Sequence, residues 1–167
     1  MATLDDRQKG RLALGFVGFI ALCFAAAAFG GFFTAPATAP GGWYDWIRKP
    51  AWTPPPWLFG PVWTLLYGAM AVAAWLVWRE GGWAVQRRPL ALFMVQLVLN
   101  ALWSLFFFGM ESPGLALADI ALLWLAILAT ILAFRKVSAL AAGLLVPYLL
   151  WVSFAAALNF AVWRLNG

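Results

Sequence analysis

Gln96, Asn100 and Trp103 recur at i, i+4 and i+7, a spacing that puts all three on one face of an α-helix. By the same count Tyr148, Trp151, Ala155 and Asn159 share a face, and so do Trp63, Tyr67, Met70 and Ala74. Each face joins a large aromatic ring to a hydrogen-bonding group. That combination suits recognition of a small molecule, because rings stack on flat apolar surfaces and amides fix polar edges. The small Ala155 would leave room for such a molecule. The competing reading of Gln96, Asn100 and Asn159 is glue between helices, at about 0.6–2 kcal/mol per bond. There is no histidine, so the usual acid–base group at neutral pH and the usual haem or zinc ligand are missing. No metal site is expected, and a hydrolase would lack both its histidine and a carboxylate pair.

The stretch from Trp43 to Trp57 differs from everything around it. It reads Trp-Tyr-Asp-Trp-Ile-Arg-Lys-Pro-Ala-Trp-Thr-Pro-Pro-Pro-Trp. Proline lacks an N–H and restricts the residue before it, so this run should be extended or turned, with pieces of polyproline II. Trp43, Trp46, Trp52 and Trp57 then have two possible uses. They form an interfacial aromatic belt, or they fold back with Tyr44 as a lid over a site between helices.

These residues must be positioned by membrane helices. Apolar residues make up 65% of the 167 and charged residues 10%, where a soluble domain carries about a quarter charged residues. A bilayer core of about 30 Å takes about 20 helical residues, and the spans expected on that length run over roughly 11–33, 58–79, 89–109, 114–134 and 139–163. The expected fold is an all-α integral membrane bundle of five helices, one domain over 1–167, with the Trp/Pro-rich segment 34–57 as its first loop. The first span exceeds a signal-peptide apolar core, although Ala35-Pro36-Ala37 has the look of a cleavage site. Gly41-Gly42, Gly81-Gly82, Glu111-Ser112-Pro113-Gly114 and Arg135-Lys136-Val137-Ser138 punctuate the spans. Ser112 is placed to cap the fourth helix, with Pro113 at its first position. The last three connections are short, so consecutive helices should be antiparallel neighbours. The lone Cys23 excludes an intrachain disulfide.

Charge reports topology. Arg7, Lys9, Arg11, Arg79, Arg87, Arg88, Arg135 and Lys136 fall on the N-terminal side, against Arg48, Lys49 and Arg164 on the other. The asymmetry favours a bacterial inner membrane with the N-terminus cytoplasmic. A net charge of +5 without a basic stripe of exposed aromatics points to lipid, not nucleic acid. Asp119 is the one acidic residue well inside a span, and such a charge is paired, hydrated or protonated. It lies near the start of its helix, where the dipole favours a carboxylate.

Ordered blocks now carry a resemblance. Trp43-Tyr44-Asp45, Lys49-Pro50-x-Trp52-x-Pro54-Pro55 and Gly60-Pro61-Val62-Trp63-x-x-Leu66-Tyr67-x-x-Met70 are followed by Gln96-Leu97-x-Leu99-Asn100-x-x-Trp103 and Phe107-Phe108-Gly109. Asp119, Pro147-Tyr148-Leu149-x-Trp151 and Leu158-Asn159-Phe160-x-x-Trp163-Arg164 complete the series. From residue 43 onward the chain resembles the translocator protein family, the tryptophan-rich sensory proteins of bacteria and the peripheral-type benzodiazepine receptors of mitochondria. Residues 1–42 match only as an apolar helix. The resemblance implies a five-helix bundle, usually a homodimer, that binds porphyrins among its helices under the first loop and requires no cofactor. It places Trp43, Tyr44, Arg48, Lys49, Trp52, Trp63, Tyr67, Gln96, Asn100, Trp103, Tyr148, Trp151, Ala155 and Asn159 in or over that pocket. Members occur in outer membranes as well, which leaves that location open.

Three functions are consistent with this likeness. The first is a receptor or carrier for porphyrin-like tetrapyrroles. The second is a light-dependent porphyrin-degrading enzyme, in which Trp63 and Trp151 match the tryptophans linked to that chemistry. The third is a structural or regulatory membrane partner. Arg48 and Lys49 would pair with porphyrin propionates or with lipid phosphates. Leu158, Phe160 and Arg164 match the animal sterol motif except at its centre, where Phe160 replaces tyrosine, so sterol binding should be weak. On the first helix, Ala26-x-x-x-Gly30 permits close helix approach, for a dimer seam or an intrachain contact.

Overall fold

The computed structural model describes residues 6–167. Five helical segments are long and apolar enough to cross a bilayer. They are α1 (Asp6–Thr38), α3 (Pro56–Trp78), α5 (Arg87–Ser104) with the turn that follows it, α6 (Pro113–Arg135), and the pair α7 (Ala139–Leu144) and α8 (Val146–Asn166). Two short helices, α2 (Trp43–Trp46) and α4 (Gly82–Val85), lie in the first two connections. The chain is therefore a five-helix membrane bundle, as the composition implies. Large apolar side chains such as Leu14, Phe32, Leu65 and Leu150 stand exposed around it, which suits a lipid solvent and not water.

Several local details depart from the expected spans. α1 continues to Thr38 through Pro36, so the loop proper begins after it. The proline costs one backbone bond to the preceding turn. Close by, the Thr34 hydroxyl donates to the Gly30 carbonyl (2.9 Å) and Thr38 to that of Thr34 (2.9 Å). Gly41 then turns the chain with φ +79°, and Gly42 packs so close that a Cβ would lie 2.5 Å from the Ala37 carbonyl oxygen. The Trp-rich segment holds one helical turn, Trp43–Trp46, before it becomes extended at Ile47. The third span ends in a π-helical turn, Leu105–Gly109, where the Met110 N–H reaches back to Leu105 (2.7 Å). Ser112 occupies the N-cap position of α6, but its side chain makes no capping bond. Ser138 does cap α7, accepting from the Ala141 N–H (3.2 Å). The last span is split because Pro147 has no N–H to continue the α7 ladder.

α1 changes partners along its length. At the basic end it packs mainly on α3, where Trp75 Nε1 donates to the Leu12 carbonyl (2.9 Å) and Phe19 meets Trp78 edge-on, and Phe19 also meets Phe93 of α5 edge-on. Gly15 lies under Trp78, where a Cβ would come within 2.2 Å of the ring. At the loop end it leans on α5 and the π turn. A Cβ at Gly30 would be 3.0 Å from Ser104 Oγ, and Phe33 covers Gly109. Gly30 thus serves an intrachain contact. The main core, with Met70, Phe93, Phe134 and Tyr148, fills the basic half and middle of the bundle. A smaller cluster of Tyr44, Phe107, Ala116 and Val162 closes the loop end.

The Gly15 contact predicts an inversion of ordinary helix propensity. Alanine is favoured over glycine in a helix by roughly 1 kcal/mol. Gly18, on the same helix, has nothing within 4 Å of a Cβ, so Gly18→Ala should hold or raise the thermal midpoint in detergent. Gly15→Ala should lower it, because Trp78 must move, at a cost of about 1–3 kcal/mol. Equal midpoints for the two variants would contradict this packing.

Candidate functional site

A cavity of about 440 Å³ lies at the loop end, among α1, α3, α5 and α8 and beneath α2. Its size falls within the ordinary range for small-molecule pockets. The helical faces seen in the sequence converge on it. α3 contributes Trp63 and Tyr67, α5 contributes Asn100 and Trp103, and α8 contributes Trp151, Ala155, Leu158 and Asn159. Met70 and Ala74 continue the α3 face downward into the fully buried core.

The polar groups on the wall are tied to one another. The Tyr67 hydroxyl donates to Asn100 Oδ1. Trp103 Nε1 donates to Asn159 Oδ1 (3.0 Å), and Asn159 Nδ2 donates to the Pro113 carbonyl (2.8 Å). Asn159 therefore joins α5, α6 and α8 while facing the cavity, so glue and lining are one role there. The aromatic wall is continuous. Phe59 meets Trp151 edge-on at 5.9 Å, Trp63 lies 5.6 Å from Tyr67, and Trp103 stacks on Phe107 at 5.0 Å.

Other residues singled out in the sequence lie off the wall. Gln96 and Tyr148 are buried in the core, and neither the Gln96 amide nor the Tyr148 hydroxyl has a hydrogen-bond partner among the described residues. Asp119 is buried on α6 without an ion pair among those residues, and its Oδ2 has no partner. Trp43 backs Phe107 edge-on at 5.6 Å, one layer away from the cavity. Trp52, half exposed, packs edge-on against Phe154 at 5.8 Å. Leu158 lines the cavity, whereas Phe160 and Arg164 are exposed on another face of α8.

The loop's two cations have local structural roles. Lys49 Nζ donates to the carbonyls of Tyr44 and Ile47 and sits 4.6 Å from the Tyr44 ring centroid. The backbone of Arg48 is clamped by Asn166, whose Oδ1 accepts from the Arg48 N–H and whose Nδ2 donates to its carbonyl, both at 2.9 Å. Tyr44 is thereby held over the cavity, and burial pushes its phenol above the ordinary tyrosine value.

The TspO/MBR family model matches residues 19–164. The chain belongs to the TspO/MBR family. It is 47% identical over 152 residues to the tryptophan-rich protein TspO of Chlorobaculum tepidum, covering 88% of this chain and 92% of that one. It is 47% identical over 126 residues to the translocator protein of Homo sapiens, covering 74% and 75% of the two chains. The tryptophan-rich sensory protein of Cereibacter sphaeroides is 40% identical over 151 residues, 90% of each chain. The family resemblance drawn from the aromatic blocks is thus established, and with it a multi-pass membrane protein.

The α1 wall went unrecognised in the sequence. Phe24, Ala27, Gly31, Thr34 and Thr38 all line the cavity, and their 3- and 4-residue steps mark one helical face. Two threonines on a stripe of otherwise small and apolar residues were the available signal. The π turn was also unforeseen, and it brings Phe107 and Phe108 onto the same cavity.

The geometry of Asn159 generates a stability prediction. Asn159→Leu leaves the Trp103 N–H and the Pro113 carbonyl without their partner. Unsatisfied buried groups cost about 1–3 kcal/mol, so the thermal midpoint in detergent should fall. Trp103→Phe in the Asn159→Leu background should then cost less than in the wild type, a coupling read from the double-mutant cycle. Strict additivity would remove the bond from the account.

Proposed function

We propose that this chain is a membrane receptor or carrier for porphyrin-like tetrapyrroles and similar flat hydrophobic molecules, held in the cavity under the first loop. The observation that carries the reading is the convergence of Trp63, Trp103 and Trp151 on one cavity with Asn100 and Asn159 between them. Indole faces suit a planar macrocycle, and the amides suit its polar edge. The names of the relatives support the same class, since one is called a translocator and another a sensory protein. Homodimerisation remains part of this proposal; Gly30 is already used within the chain, so a dimer would use a different surface. We also propose a cytoplasmic N-terminus in a bacterial inner membrane. The basic ends of α1, α3, α5 and α6 support that orientation.

A second reading has its own support. Trp63 and Trp151 both line the cavity, the position that light-driven porphyrin breakdown requires of them. Protoporphyrin titration with tryptophan-fluorescence readout, in the dark and then under light, separates the two. Saturable quenching with porphyrin recovered intact is the expected result, and Trp151→Phe should weaken binding by roughly fivefold, the scale of one lost aromatic contact of about 1 kcal/mol. Light-dependent loss of porphyrin that Trp151→Phe abolishes would establish the enzyme. Absence of saturable quenching would leave the structural or regulatory reading.

Sterol contact would involve the exposed face of α8 and not the cavity, because Phe160 and Arg164 are one turn apart on that face. Phe160→Tyr restores the hydroxyl that the sterol motif calls for. It should raise cholesterol affinity in vesicles, and equal affinity for variant and parent would refute the hydroxyl argument.

A further inference from the structure

Side-chain contacts bridge most sides of the cavity. Above, Tyr44 seals it against Phe107 and Phe108, and the Asn166 clamp holds the loop in place. Between α3 and α8 the edge pair Phe59–Trp151 closes the wall, with Trp52 on Phe154 behind it. Between α5 and α8 the Trp103–Asn159 bond does so. Between α1 and α5 the Gly30–Ser104 contact is tight.

The α1–α3 side is different. These helices are tightly joined at the basic end, through Gly15 on Trp78 and through Trp75 on Leu12. Toward the loop α1 moves over to α5. Five wall residues along the α1–α3 seam, Phe24 and Gly31 on α1 and Pro56, Gly60 and Thr64 on α3, are exposed as well as lining the cavity. A Cβ at Gly31 or at Gly60 would meet nothing within 4 Å. No wall residue of α2, α5, the π turn or α8 is exposed: Tyr44, Asn100, Phe107, Leu158 and Asn159 are buried and the others half-buried.

We propose that the α1–α3 gap is a lateral portal, through which the cavity takes its ligand from within the bilayer and not from the aqueous phase past the loop. The inference rests on the cavity being a ligand site, and it narrows the ligand class to molecules that partition into lipid. The portal is made by small residues, because Gly31 and Gly60 leave a slot between helices where larger side chains would fill it. Both lie within membrane-spanning segments, so the slot opens to acyl chains.

The test uses the full chain in phosphatidylcholine vesicles with protoporphyrin IX as the probe, followed by stopped-flow quenching of tryptophan fluorescence. Gly31→Phe and Gly60→Phe place a ring in the slot without displacing a neighbour. Each should lower the association and dissociation rate constants together by about tenfold, so that Kd changes far less than either rate. Gly18→Phe, on α1 with open space around it but off the cavity, should keep the parent rates. Association in the parent should be faster from porphyrin already loaded in the protein's own vesicles than from the same amount mixed in from buffer. Unchanged rates in both portal variants, with saturable binding retained, would overturn the portal and leave the cavity assignment standing. So would association that is faster from buffer than from loaded vesicles. A parent protein that shows no saturable quenching would overturn the cavity assignment and the portal with it.

Discussion

The arrangement of this bundle depends on the contact of Gly15 with Trp78. A helix in lipid gains little from burying apolar surface, since lipid tails are as apolar as leucine, so close van der Waals packing decides which helices meet. Gly15 lets α1 approach α3 closely enough for the Trp78 ring to lie against its backbone, and Trp75 adds a bond to the Leu12 carbonyl. The pair is thereby fixed at the basic end. At the other end the equivalent small residue, Gly30, faces Ser104 on α5. α1 is thus held closely to α3 at the basic end and to α5 at the loop end, and the cavity opens at the loop end among α1, α3, α5 and α8.

Polar groups divide into those on the cavity wall and those off it. On the cavity wall each amide is bonded in a way that also joins helices: Asn100 with Tyr67, and Asn159 with Trp103 and Pro113. Away from the wall, Gln96, Tyr148 and Asp119 present buried atoms with no hydrogen-bond partner among the described residues. Such groups are costly in a medium of low dielectric and are ordinarily satisfied by ordered water. The wall amides form a hydrogen-bonded frame, whereas the off-wall groups have capacity to spare.

Much of this was legible in the sequence because lipid removes most alternatives. An apolar run of the right length must be a helix, and once helical, the spacing of Trp103 from Asn100, or of Asn159 from Trp151, fixes a common face. That argument reaches α3, α5 and α8 because their marker residues are large or polar. It fails on α1, whose wall, apart from Phe24, is made of Ala27, Gly30, Gly31, Thr34 and Thr38. Small residues in a membrane helix serve packing and lining alike, and only the neighbour distinguishes them. It fails again at Leu105–Gly109, where a single added residue per turn makes a π turn and rotates Phe107 and Phe108 to the cavity. Nothing in three consecutive phenylalanines announces that rotation. The passage of α1 through Pro36 was hidden for a related reason, because threonine hydroxyls near the break are not part of the usual breaker arithmetic.

The two basic residues of the loop are held in different ways. Arg48 and Lys49 read in the sequence as partners for an anionic ligand or for lipid phosphate. The Lys49 ammonium instead meets the carbonyls of Tyr44 and Ile47 and the face of the Tyr44 ring. It is thus committed to holding the residue that roofs the cavity. The Arg48 backbone is committed to Asn166, and its side chain is not on the wall. The described lining contains no cation at all. A carboxylate drawn fully into this cavity would lose water and gain no counter-charge, an arrangement that costs several kcal/mol in low dielectric. An acidic group would therefore be less costly at the rim of the cavity than among its tryptophans.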